Sequence, residues 1–372
     1  MDLSGIPILD HHAHPLLQPD ETADPARFRQ WFTESTNAEI HARHVPHTLF
    51  FQSGIRWLAA LLDCAPTLAA VLEARAAQDY EAWVRRLFVE ANIELLLCDY
   101  GYGGEKALAH KEMAALLPCE IRPILRLEKL AEQLILEYDA FEPMVEAFTA
   151  VIKRARASGY VAFKSIAAYR TGLEINTASP REAAAAFKLY RQAAQRNGRL
   201  RLASRPLGDY LLWIALQQAA ADALPVQFHT GFGDSDADLR GANPLLLRPL
   251  IEQTESHIVL LHAGWPFYRE AAHLASLYPH VWLDLSLAVP FATAGIPGML
   301  RAVLGMAPLS KIMFATDAFT MPEIYWLAAK WGRWALGRVL EEFVTDGFLD
   351  ENQAYQTAEM ILNRNARELY GL

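Results

Sequence analysis

The chain has 372 residues, of which 52% are apolar and 21% charged, with a formal net charge of −9. That composition suits a soluble globular protein with an extensive core, built as one large α/β domain or two smaller ones. The acidic balance argues against non-specific nucleic-acid binding, which needs a basic excess to neutralise phosphates, although a few local arginines suffice for an anionic substrate.

The first apolar run, 6–9, leads straight into Asp10-His11-His12-Ala13-His14. Almost eighty residues rich in Trp, Leu, Ala and Arg then precede the second run, 93–98. Within them, 52–62 and 68–90 show helical apolar spacing, so a helical insertion over 19–90 is expected on the first strand-to-helix loop. Placed over a barrel mouth, it would act as a lid that excludes water; otherwise it is a packing subdomain. His41, His44 and His47 recur there at the spacing of a helical metal face, but Pro46 breaks a helix at that point, so they read as lid or surface residues.

Further runs fall at 121–127, with Arg126 near its end, and at 160–163, ending on Lys164. Ser179-Pro180-Arg181-Glu182 is a capping box with proline at the first helical position, and Asn197-Gly198 can stop that helix. A second helix is expected over 209–222. The run 224–228 ends at His229, and 258–261 ends at His262. A helix over 267–278, a strand run at 281–285, a run at 312–314 leading to Asp317, and a helix over 322–343 complete the pattern.

Eight strands alternating with helices imply parallel βαβ units, and at this length they favour an α/β fold of the (β/α)8 TIM barrel type, a single domain over 1–372. The alternative is a doubly wound open sheet. No Gly-rich phosphate fingerprint follows the first strand, which weakens its nucleotide-binding form. Polar residues at the carboxyl ends of barrel strands are where such folds keep their chemistry.

His12 and His14 are two apart on a strand and share a face, so both imidazoles can bind one metal. His11 faces the other way and reads as structural. Asp10 shares the His12 face one layer deeper, either orienting an imidazole or serving as a buried structural carboxylate. His229 and His262 each end a strand, 33 residues apart with a helix between. Asp317 can ligate a metal and take a proton from water, or simply cap its loop. Lys164 in such a pocket should have a lowered pKa; a neutral amine can take up carbon dioxide as a carbamate, while the plain alternative is a lysine that snorkels or pairs with a carboxylate. Arg126 and Arg170 are candidate clamps for a substrate carboxylate, or structural salt bridges. Asp234 and Asp236 can receive an amino group or support the groups that meet the metal, and Trp265 can form a pocket wall or serve only as a packing residue at the barrel top.

The set His12-x-His14, Lys164, His229, His262 and Asp317, on strands one, four, five, six and eight, resembles the amidohydrolase superfamily. Residues 163–170 (Phe-Lys-Ser-Ile-Ala-Ala-Tyr-Arg), 227–234 (Gln-Phe-His-Thr-Gly-Phe-Gly-Asp) and 365–370 (Asn-Ala-Arg-Glu-Leu-Tyr) resemble the branch related to the amino-terminal domain of FluG-type proteins. The resemblance implies that His12, His14 and Asp317 hold one metal, that His229 and His262 hold a second, and that carbamylated Lys164 bridges them. A mononuclear version uses His12, His14, His229 and Asp317 and leaves His262 to polarise the substrate carbonyl.

Zinc suits these ligands, and a hydroxide formed on it would attack a C–N (amide), ester or lactone bond of a small carboxylate- or amino-acid-like substrate, with Asp317 as proton carrier. FluG-type relatives are often joined to glutamine synthetase-like domains, so a γ-glutamyl amide and a functional link to such a protein are expected by analogy. Rival readings are a metal-dependent decarboxylase of the same superfamily, an aldose–ketose isomerase, and a non-catalytic binding or regulatory domain. A homo-oligomer is expected. Cys64, Cys98 and Cys119 form no CxxC pair, no leader-like region opens the chain, and no run approaches the roughly 18 apolar residues of a membrane span, so a cytoplasmic protein without membrane contact is expected.

Overall fold

Eight strands lie in chain order in one sheet in the computed structural model, which describes residues 1–19, 24–198 and 200–372. They are β1 (Ile8–Ala13), β2 (Ile93–Asp99), β3 (Glu120–Arg126), β4 (Ala162–Ser165), β5 (Val226–Phe228), β6 (Ile258–Leu260), β7 (Val281–Asp284) and β8 (Ile312–Met313). The registers of β1 with β2, and of β3 through β7 in succession, are parallel. Parallel strands in chain order, joined through helices, make the (β/α)8 barrel fold. Every residue of β1 and of β4 through β8 is buried, so these strands are apolar toward both faces apart from buried polar residues such as Asp10, His11, His12, Lys164, Gln227 and Asp284.

The chain divides into two compact units. The first comprises Met1–Ile121, Gly233–Ser235 and Asp284–Glu368. In it, the segments that continue β1 and β8 hydrogen-bond to one another: Asp317 N donates to His12 O at 2.9 Å, His14 N to Ala318 O at 2.9 Å, and Leu17 N to Thr320 O at 2.8 Å. The expected helical insertion is present among the described residues; part of its first stretch, 20–23, lies outside them. The stretch 68–90, with its helical apolar spacing, forms two helices, Leu68–Ala76 and Tyr80–Ala91, because the Asp79 side chain accepts from Ala82 N at 2.9 Å and starts the second.

These helices pack on Pro322–Thr345, a 24-residue helix whose first half is almost wholly buried. Trp57 meets Trp326 and Phe88 meets Tyr325 ring against ring. Fully buried Glu323 accepts from Trp83 Nε1 at 2.7 Å and from Arg75 Nε at 2.5 Å. His41 and His44 lie in a short turn, Ile40–His44, and His47 follows in Val45–His47, which contains Pro46. Among the described residues those three imidazoles form no metal-binding group.

The second unit comprises Arg122–Phe232, Asp236–Leu283 and Leu369–Leu372. Its strands alternate with the helices Leu127–Glu137, Phe141–Arg154, Pro180–Asn197, Arg205–Asp222 and Tyr268–Leu277. The Ser179 capping box forms as its sequence predicts: Glu182 N donates to Ser179 Oγ at 3.3 Å, and Ser179 N donates to Glu182 Oε2 at 2.9 Å. The helix stops at Gly198, whose φ of +67° suits glycine at a helix end.

Candidate metal centre

In the first unit, β1 delivers His12, and His14 follows at its end. The β1–β2 register shifts between Asp10 and Ala13, an irregularity that re-aims side chains at a strand end. His12 Nε2 lies 3.1 Å and His14 Nε2 3.3 Å from Asp317 Oδ1, and all three residues are buried. One donor atom from each falls within 4.8 Å of the others. Two donors bound tetrahedrally to one zinc at its usual ligand distance stand about 3.4 Å apart, so this donor set fits a single divalent cation.

The neighbours of these side chains fix their aim. Asp317 has φ +47°, an uncommon left-handed conformation for a residue with a Cβ, held by its N–H bond to His12 O. His14 Nδ1 lies 3.1 Å from Asp99 O, and since a carbonyl can only accept, Nδ1 carries the proton and Nε2 keeps its lone pair for a ligand. The Asp10 carboxyl accepts from Thr316 N at 2.9 Å and Thr316 Oγ1 at 2.5 Å, which anchors the residue before Asp317. Burial pushes the Asp10 carboxyl up to about 7 against the lowering effect of those two bonds and of a third from the His12 backbone N–H. His11 points elsewhere, with Nε2 3.3 Å from Asp284 Oδ2, both side chains fully buried.

Asp234 belongs to this unit, where its carboxyl shares a hydrogen bond with Glu34 of the insertion. Burial, that bond and the charge of Asp317 together hold the Glu34 carboxyl well above the usual carboxylate range. No sequence signal marked Glu34. Asp99, by contrast, follows an apolar run in the same way as His229 and Asp317 do, and that signal was available.

In the second unit, His229 and His262 come together: His262 Nε2 lies 2.8 Å from His229 Nδ1. The Tyr169 ring lies tilted against that of His229, with centroids 4.3 Å apart. The two strand ends are locked by close backbone packing. Thr230 Oγ1 donates to Leu261 O at 2.5 Å, and Gly231, at φ +76°, sits where a Cβ would fall 2.2 Å from Trp265 O. His262 itself has φ +66°. Lys164 is 1% exposed and lies in register with Arg126 of β3 and Gln227 of β5.

Of the other expected substrate contacts, Arg170 pairs with Glu132 at 3.3 Å, and its burial lowers the guanidinium pKa. Asp236 pairs with Arg201 at 2.5 Å on the surface. Trp265 is 37% exposed and meets Phe232 edge to face at 5.1 Å.

The amidohydrolase family model (Amidohydro_2) matches residues 145–372. Protein fluG of Emericella nidulans is 30% identical over 403 residues, covering 98% of this chain and 46% of the relative, so the chain spans about half the length of the curated relative it matches. The crystal structure of a candidate metal-dependent hydrolase from Lactobacillus casei is 32% identical, with a TM-score of 0.89, covering 99% of this chain and 96% of that one. Uronate isomerase from Thermotoga maritima, 14% identical with a TM-score of 0.64 and coverage of 99% and 95%, shares the fold. Among the described residues no helix is long and apolar enough to cross a membrane.

Proposed function

Because this chain belongs to the amidohydrolase family, we propose that it is a metal-dependent hydrolase acting on a C–N (amide), ester or lactone bond of a small carboxylate- or amino-acid-like substrate, with a γ-glutamyl amide as the first candidate. The observation that carries this reading is the convergence of His12 Nε2 and His14 Nε2 on Asp317 Oδ1. These three residues would hold the cation, with zinc favoured by two imidazoles and a carboxylate. When bound, such an ion supplies Lewis acidity and lowers the pKa of a water to about 7.

The chain's own groups do the rest. Asp317 accepts the proton of the attacking water and delivers it to the leaving group. The Nδ1 bond to Asp99 O holds the His14 ring so that Nε2 faces the ligand position. Lys164, as a carbamate, and His229 and His262 are the further ligand assignments, with His262 also a donor to the substrate carbonyl oxygen. Arg126, Arg170, Asp234 and Trp265 are the proposed substrate contacts.

The test combines metal analysis with turnover. Protein loaded with zinc should hold one or two ions per chain by mass spectrometry of metals and should hydrolyse a member of a panel of γ-glutamyl amides, N-acyl amino acids and lactones. The His12→Ala/His14→Ala variant should lose an ion and the activity together. Full turnover by chelator-stripped wild type would overturn the reading.

A further inference from the structure

β4 ends on Ser165, next to Lys164, and the short turn Ala167–Tyr169 follows almost at once. That stretch reaches the His229 imidazole by two routes. Through the backbone, His229 N donates to Ser165 O at 3.0 Å. Through a side chain, the turn lays the Tyr169 ring against that of His229, with centroids 4.3 Å apart. His229 Nδ1 in turn lies 2.8 Å from His262 Nε2. The way β4 ends therefore bears on where both imidazoles sit, and all of these residues belong to the second unit.

One side chain outside the centre holds that end. Glu128 lies in the first turn of Leu127–Glu137, the helix that starts directly after β3. Its Oε1 accepts from Ser165 Oγ at 2.7 Å and from Ile166 N at 2.9 Å. Ser165 Oγ also accepts from Ala167 N at 3.2 Å, so the hydroxyl passes the anchor on to the turn that carries Tyr169. The other oxygen, Oε2, is buried with no hydrogen-bond partner among the described residues. An unsatisfied buried oxygen costs about 1–3 kcal/mol, so an apolar residue would suit this helix better unless the Oε1 bonds are needed. Both of those bonds meet the two residues that follow Lys164.

We infer that Glu128 is a positioning residue for the His229 and His262 half of the centre. It acts through Ser165 and Ile166. It fixes the backbone beside Lys164, the Ser165 carbonyl that receives the His229 N–H, and the turn that sets Tyr169 against the His229 ring. Asp10 is its counterpart in the first unit, where a buried carboxyl pins Thr316 beside Asp317. The assignment rests on the ligand roles proposed above for Lys164, His229 and His262.

Glu128→Met removes the acceptor at similar length. Glu128→Gln keeps Oε1. Ser165→Ala cuts the bond to the hydroxyl and leaves the one to Ile166 N. Each variant is measured in the full chain in two ways. Ring-nitrogen NMR on chelator-stripped protein reports the imidazoles without any ion. Zinc competition with a chelator dye, in the His12→Ala/His14→Ala background, reports this half of the centre alone. Glu128→Met should shift the His229 and His262 signals and leave those of His12 and His14 in place. It should also weaken zinc binding about 10–100-fold, the usual effect of losing an outer contact. Ser165→Ala should act in the same direction, severalfold in affinity, and Glu128→Gln should match the wild type in both measurements.

Wild-type His229 and His262 signals in Glu128→Met overturn the proposal. So do signals of His12, His14, His229 and His262 that all move together with a fallen melting temperature, which is general loosening. A Glu128→Gln variant no better than Glu128→Met also overturns it. If Glu128→Met does not fold, Ser165→Ala decides by the same two measurements. A His12→Ala/His14→Ala protein that takes up no zinc sinks the ligand roles of His229 and His262, and the NMR measurement still decides Glu128.

Discussion

Thr316 gives both its backbone N–H and its hydroxyl to the Asp10 carboxyl, at 2.9 and 2.5 Å. The bond joins a residue of β1, two before His12, to the residue immediately before Asp317. It therefore sets how the carboxylate donor is presented to the two imidazoles without itself meeting the ion. Asp10→Asn keeps one acceptor and the volume but forfeits the second bond. Loss of such an outer contact typically lowers metal affinity by about 10–100-fold. Competition with a zinc chelator dye should show a loss of that order while the melting temperature stays close to wild type. Unchanged zinc affinity would remove Asp10 from any positioning role.

Asp317 combines two tasks in one side chain, as a ligand and as the proton carrier. Asp317→Asn retains an oxygen that can still face His12 and His14 but has no basic lone pair for the water's proton. General-base removal costs about 10²–10⁴ in rate. The kcat of zinc-saturated Asp317→Asn should fall by that factor once a substrate is in hand. A variant that matches wild-type kcat at full zinc occupancy would refute the assignment.

The parts of this site legible in the sequence are those whose placement follows from one strand. His12, His14, His229, His262 and Asp317 all end or follow short apolar runs, and β-strand alternation put His12 and His14 on one face and His11 on the other, where it meets Asp284. Asp99 obeys the same rule, following the apolar run 93–98. Glu34 carries no local signal: its surroundings depend on how the long insertion folds back, and no local periodicity encodes that. The break between Leu68–Ala76 and Tyr80–Ala91 hinged on one side chain, since the apolar spacing runs on through Asp79 while its carboxylate starts a new helix.

Glu323 is where the insertion is fastened to the helix after β8. With zero exposure, it holds Trp83 Nε1 and Arg75 Nε together. Glu323→Ala leaves a buried guanidinium and an indole N–H without their acceptor, and breaking one side of a buried ion pair costs about 3–5 kcal/mol. Urea denaturation should show that loss, with Glu323→Gln intermediate because it keeps an acceptor oxygen. If Glu323→Ala unfolds at the wild-type urea midpoint, the insertion is held by its aromatic contacts with Trp326 and Tyr325 instead.

Asp209, near the start of Arg205–Asp222, supplies a pH signature of stability. Its side chain is 4% exposed and accepts from Asn176 N at 3.0 Å, yet burial pushes its carboxyl up to about 6. The native state thus binds this proton more tightly than the unfolded chain does. Its contribution to stability is fully present below about pH 4, the unfolded value, and is lost as pH rises through about 6. Asp209→Asn cannot titrate and serves as the reference. The stability of wild type relative to this variant should decline between about pH 4 and pH 6–7 and level off on either side, read from urea midpoints across that range. A difference that stays constant or climbs with pH would mean that the Asn176 bond, rather than burial, governs this carboxyl.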